Sequence, residues 1–311
     1  MLKKWGARIV GFIMFLYFIY LCKQFFDYRQ LKSYGIELLR NPFWLILITG
    51  LYYLSFICKA FAWKMYLKKD IPLMRYLHAL FYSLFVNHIA PVKVGDIVRA
   101  GMIARENNLS WDLAAHSVAV MRLLDLLSLG LFCSIGILYW RDWDPNDFVV
   151  FIAMVALLVI ALWRSKGLER VPMIHRHVNL LKTTLISLSG LYMYGLVLMS
   201  WLLEAIVVFG VTQSIGNPIS ILAAIWVNSM TIAGQVFHLT PGGIGTYETV
   251  MSFSLYSIGY SMEKAYHVAM ISHGFKFIFS YLVGIYILYR TPTVLKEIMS
   301  WGMRRKRNEK S

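Results

Sequence analysis

Charge placed inside apolar stretches is the feature of this sequence that could do chemistry. Arg122 and Asp125 fall within the apolar run 113–140, Glu204 within 185–211, and His267, His273 and Lys276 within 265–289. A charge in hydrocarbon costs a few kcal/mol or more, so each such group must face a partner or water. Arg122 and Asp125 are three residues apart and share a helix face, which makes them a self-neutralised pair. The planar guanidinium of Arg122 also suits a phosphate. Lys276 lies too far from either end of its run to snorkel easily. Glu204 and Glu248 are carboxylates in apolar surroundings. Desolvation favours their neutral form, which fits proton coupling or pairing with a cationic head group. Glu248 reads equally as a residue of a first helical turn, where a carboxylate complements the dipole.

Two breaks punctuate the apolar pattern. The second is His238-Leu-Thr240-Pro241-Gly242-Gly243-Ile-Gly245-Thr-Tyr-Glu248, set between apolar segments 219–239 and 249–260. Pro241 removes a backbone donor, and the glycines admit conformations closed to other residues. Backbone interrupted at membrane depth has to be satisfied by protein or by a watered cavity. The first break, His88-Ile-Ala-Pro91-Val-Lys93-Val-Gly95-Asp96, has the same spacing: His238, Pro241 and Gly245 each follow His88, Pro91 and Gly95 by 150 positions. Lys93, Asp96 and Arg99 read as a basic mouth for an anionic head group, or as a cytoplasmic loop. His88 and His238 could bind a metal only with a third ligand, which the sequence does not offer, so hydrogen bonding or turn packing is the expectation. No catalytic triad order or phosphate-binding loop stands out. The three cysteines, Cys22, Cys58 and Cys133, have neither metal nor disulfide spacing and read as packing residues. No cofactor is implied.

The elements that must hold these residues follow from composition. With 59% hydrophobic and 15% charged residues, the chain is an integral membrane protein and not a soluble core. Its net charge of +15 then reflects cytoplasmic loops and anionic lipid, not nucleic acid. Residues 9–22 read as an uncleaved first span, 23–42 as a mixed-charge loop, and 43–63 as a second span of about 31 Å at ~1.5 Å per residue. Lys59 and Lys64 sit near its end and are expected to snorkel. Residues 76–105 read as a hairpin entering and leaving on the cytoplasmic side. Spans follow at 113–140 and 148–163, separated by the acidic loop 141–147. The loop 164–182 is basic, hence cytoplasmic. The span 185–211, a hairpin over 219–260 opened from outside, and the span 265–289 complete the plan. Tyr139, Trp140, Trp163 and Tyr289 read as interface anchors.

The expected fold is therefore an all-α polytopic membrane protein of about six to eight spans, an inverted repeat with two broken, re-entrant hairpins. Its repeats would cover 1–140 and 148–290 within a single domain, followed by a basic cytoplasmic tail at 291–311. Inverted repeats place transport sites at paired broken helices.

The breaks also resemble a known family. Pro91-Val-Lys-Val-Gly95-Asp96-Ile-Val-Arg99 looks like the first signature of the lysylphosphatidylglycerol synthase transmembrane region, with aspartate where glutamate is common. Thr240-Pro-Gly-Gly-Ile-Gly-Thr-Tyr-Glu248 looks like the second, and the likeness in layout covers nearly the whole chain. That family includes the flippase half of the multiple peptide resistance factor and stand-alone flippase-like proteins. The resemblance implies movement of an anionic, aminoacylated or polyprenyl-linked lipid between leaflets of the bacterial cell membrane, with both termini cytoplasmic. It also implies a rival reading, a membrane enzyme of lipid head-group modification that would need aminoacyl-tRNA or a lipid-linked sugar. Against lysyl transfer, the sequence carries no soluble aminoacyltransferase segment after its last span. A homo-oligomer or a partner synthase fits either reading. Cysteines introduced at Val94 and Ile244 should be labelled by a membrane-impermeant thiol reagent from opposite sides, or through one shared cavity. Two identically sealed sites would contradict the paired-break plan.

Overall fold

A computed structural model of the chain describes residues 15–90, 94–106, 109–140, 187–235 and 240–290, with side chains placed to residue 136 in the third of these segments. The described residues form helices and no strand. In order they are α1 (residues 15–25), α2 (Tyr28–Arg40), α3 (Pro42–Leu67), α4 (Leu73–Ile89), α5 (Gly95–Ala104), α6 (Trp111–Trp140), α7 (Leu188–Ser214), α8 (Ile221–Gly234), a 3-10 turn (Pro241–Gly243), α9 (Thr246–Ser257) and α10 (Met262–Arg290). Among them α3, α6, α7 and α10 are the 4 helices long and apolar enough to cross a membrane. The expected acidic loop 141–147, the span 148–163, the basic loop 164–182, Trp163 and the basic tail lie outside the described residues.

The stretch read as a loop at 23–42 is instead the helix α2. Asp27 caps it by accepting from the Arg29 amide at 2.7 Å. Its buried residues, Tyr34 and Leu38, are four apart, so one face packs inward while the charged residues face out. A charge-rich composition hid an amphipathic pattern. Asn41 ends this helix and Pro42 opens α3, where a missing backbone donor costs nothing. The Asn41 side chain donates to the Ser214 carbonyl at 3.3 Å, which fixes the corner beside the end of α7.

Hydrogen bonds define the two ends of the bundle. At one end the Asp27 amide donates to His267 Nε2 at 3.4 Å, joining α2 to the start of α10. At the same end the Tyr260 hydroxyl donates to the Asn217 carbonyl, and Lys264 Nζ donates to Asn217 Oδ1 at 3.3 Å. The start of α8 and the end of α9 therefore lie at this end. At the other end α4 follows α3 after the left-handed Lys68, and Arg75 pairs with Glu106 at 3.5 Å, closing α4 on the residue just past α5. The hairpins α4–α5 and α8–α9 thus enter from opposite ends. None of their helices is a full span: α8, with 14 residues, reaches about 21 Å, short of the ~30 Å hydrocarbon core.

The most extensive helix pairing is α3 with α7. It depends on Gly210, where an added Cβ would fall 2.3 Å from Ile48 Cγ2. Gly210→Val should overpack this seam at a cost of about 1–3 kcal/mol. Thermal denaturation in detergent should register a lower midpoint. Gly130→Val, at a position with nothing within 4 Å of the new Cβ, should leave the midpoint in place; equal effects would contradict the packing assignment.

Candidate functional site

The tips of the two hairpins meet inside the bundle. The His88 ring, at the end of α4, lies 4.6 Å edge-on to Phe277 and 6.4 Å from His273 on α10. Its Nδ1 bonds the Leu84 carbonyl at 2.8 Å, the hydrogen-bonding role expected of it. Between the tips is a cavity of about 160 Å³ lined from both hairpins and from α3, α6, α7 and α10.

Each break is held by its own polar device. At the first, the Gly95 amide donates to Asn87 Oδ1 at 2.9 Å, and Asp96 and Arg99 follow on the first turns of α5. At the second, Gly245 adopts φ 90°, a conformation other residues resist. Its amide donates to Glu248 Oε2 at 2.6 Å, so the carboxylate satisfies a helix-start donor. Glu248 Oε1 lies 2.6 Å from His273 Nδ1, and His273 Nε2 lies 3.2 Å from the Gly242 carbonyl. Gln235 donates to the same carbonyl at 3.3 Å. Thr240 Oγ1 donates to the Ile244 carbonyl at 2.5 Å, bridging the turn of Pro241, Gly242 and Gly243. Glu248 is thus a helix-start residue whose other oxygen meets His273 on the cavity wall.

From the first break, charges alternate across the bundle. Arg99 stands 3.8 Å from Asp96. Asp96 takes Arg122 through Nε at 2.9 Å and Nη2 at 2.8 Å. Arg122 reaches Asp125 at 3.5 Å, the helical pair anticipated, but its closer partner is Asp96. Asp125 also accepts from Trp201 Nε1 at 3.0 Å and lies 3.9 Å from Lys59. Lys59 is 3.6 Å from Glu204, and Glu204 accepts from Lys276 at 2.9 Å. Lys276 completes its shell on Asn228 Oδ1 at 3.1 Å. The series links four basic groups through three carboxylates and has a cation at each end.

Two expectations change here. Glu204 is not an isolated carboxylate: two lysines flank it. Lys59 does not snorkel. Helix α3 runs to Leu67, which leaves Lys59 two turns inside, with its ammonium 3.6 Å from the centroid of the Trp201 ring and its side chain 12% exposed. Trp201 and Asn228 carry no expectation from the sequence, and His273, named within its apolar run, is given no role there. His273 and Lys276 are three apart on α10, so the spacing that paired Arg122 with Asp125 could have found His273. Trp201 offers no signal beyond being aromatic, whereas Tyr247 lies within the second break motif. Pro91, Lys93 and His238 lie outside the described residues. Among the described residues no three His, Cys, Asp or Glu side chains gather as a metal site.

Donors are left over on the cavity wall, at Arg99 and Tyr247, and behind it at Asn228 beside Lys276. Arg99 Nε, the Tyr247 hydroxyl and Asn228 Nδ2 are buried without a hydrogen-bond partner. The side chains of Arg122 and Asp96 are 38% and 28% exposed, so the series is open near the first break and closed toward Lys276.

Residues 8–284 match the lysylphosphatidylglycerol synthase TM region. The chain belongs to that family. A UPF0104 membrane protein of Methanocaldococcus jannaschii is 22% identical over 233 residues, 69% of this chain and 97% of that protein. No solved structure matches. Both breaks and all seven residues of the charge series fall within the family region.

Glu204→Gln should leave Lys59 and Lys276 without their shared carboxylate. Removing one member of a buried pair costs about 3–5 kcal/mol, so the thermal midpoint should fall steeply. Adding Lys276→Met should recover part of the loss. An unchanged midpoint in the single variant would mean that water reaches both ammonium groups.

Proposed function

We propose that this chain moves a lipid between leaflets, with the head group passing through the cavity where the two breaks meet. One observation carries the reading: the alternating charge series has an excess of one positive charge and is bordered by buried donors that lack acceptors. A phosphate supplies both the charge and the acceptor oxygens. Arg99 and Arg122, next to the open end, would take the phosphate as it enters. Asp96 and Asp125 would meet an ammonium if the head group carries an aminoacyl moiety. The substrate class is therefore an anionic, aminoacylated or polyprenyl-linked lipid. The acyl or prenyl tails would stay in the bilayer beside the bundle, so only the polar group needs a path.

In this reading the hairpins are the moving parts. Rearranging the contacts that close the second break, among them the Glu248–His273 pair, would open the cavity toward the α2 end. The two halves of the chain would act as an inverted pair around a shared site. The setting proposed is a bacterial cell membrane with both termini in the cytoplasm.

Proteoliposomes containing only this chain should move labelled phosphatidylglycerol, its lysyl derivative or a polyprenyl phosphate across the bilayer. Arg99→Met and Arg122→Met should each slow that movement on the order of tenfold or more, the equivalent of one charge-assisted hydrogen bond of about 1.5–3 kcal/mol. Folded protein that moves none of these lipids would overturn the reading. Chemical turnover of a head group by the purified chain would replace it with the enzymatic alternative.

A further inference from the structure

A second cavity lies on the outside of the bundle, away from the charge series. It is an apolar groove of about 290 Å³ between α3, α4 and α10, walled by Tyr53, Met74, Phe81, Leu282 and Tyr286. Leu282 and Tyr286 are 65% and 50% exposed, so the groove faces the surroundings of the bundle and not its interior. It is not merely apolar. His78 is part of its wall, with its ring edge-on to Tyr286 and its Nδ1 buried without a hydrogen-bond partner. Arg75 and Arg290 both lie within electrostatic reach of that imidazole. Arg75 is three residues before His78 on α4, and Arg290 is four residues after Tyr286 on α10, stacked 5.6 Å over its ring. Each helix thus contributes a guanidinium to the same end of the groove. Glu106 lies 3.5 Å from Arg75 and offsets one of those charges.

We infer that this groove is a binding site for an anionic glycerophospholipid, separate from the translocation path. One acyl chain would lie along Phe81 and Leu282, and the phosphate would meet Arg290 and Arg75 beside the His78 ring. Charge complementarity selects the occupant: an apolar trough alone suits any acyl chain, whereas an end carrying two guanidiniums against one carboxylate calls for an anion. The location agrees. The basic end adjoins the turn after α3, close to Lys64, Lys68 and Lys69, which the positive-inside rule puts at the cytoplasmic leaflet, where anionic lipid attracts basic residues. The inference does not depend on the translocation reading, since none of these residues belongs to the charge series.

The test uses the full chain in phosphatidylcholine nanodiscs with a trace of photoactivatable phosphatidylglycerol or phosphatidylcholine, each carrying a diazirine in one acyl chain. Adducts are mapped by mass spectrometry. Labelling of Met74 and Leu282 should be about fivefold or more higher from the glycerol lipid. Arg75→Gln with Arg290→Gln should reduce that labelling to the choline level and leave choline-lipid labelling unchanged, while Arg290→Lys should retain the excess. Equal labelling by the two lipids, or an excess that survives the double substitution, would reduce the groove to ordinary annular contact and overturn the proposal.

Discussion

A charge cannot stand alone in hydrocarbon, and the structure of this protein is arranged around that constraint. Seven ionisable side chains from five helices are joined so that every carboxylate lies between two cations. Because the partners come from α3, α5, α6, α7 and α10, the series also fixes how these helices sit together. Apolar packing then closes around it. On α7, Glu204 falls between Trp201 and Val208, which belong to different core clusters; on α10, Lys276 falls between Ala269 and Phe279 in the same way. On those two helices the series lies near the change from one apolar core to the other, whereas on α3 and α6 it lies within the first core.

The breaks are the second consequence. A continuous helix satisfies its own backbone and leaves no room for a polar ligand. Interrupting α4–α5 and α8–α9 frees amides and carbonyls that must find other partners, and here they find Asn87, Glu248, His273 and Gln235. The glycines after Pro241 make the turn sterically possible, but these side chains hold it. What remains unpaired near the cavity among the described residues, Arg99 Nε, the Tyr247 hydroxyl and Asn228 Nδ2, is biased toward donors.

Much of this was legible in the residues. The apolar runs located every described span to within a few positions, because hydropathy over twenty residues is a strong signal. The repeated His-Pro-Gly spacing marked both breaks and, with the first, Asp96 and Arg99; charge inside apolar runs marked four more of the seven members of the series. The seventh, Lys59, was misread because its distance from the helix end depends on where α3 stops, and the left-handed Lys68 that stops it carries no distinctive residue type. His273 was passed over because a histidine in an apolar run is usually a packed side chain, and only the fold places Glu248 against it. Residues 23–42 were read by charge content when the decisive property was the spacing of Tyr34 and Leu38. Pairing across 72 positions, as between Glu204 and Lys276, has no local signature at all.

An experimental structure of the full chain in nanodiscs containing phosphatidylglycerol would test most directly that the breaks jointly form a head-group site. Phosphate density is predicted within hydrogen-bonding distance of Arg99 or Arg122, inside the cavity bordered by His88, Gly242 and Tyr247. A cavity closed by side chains in the presence of the lipid, or hairpin tips lying apart with Arg122 no longer on Asp96, would contradict it.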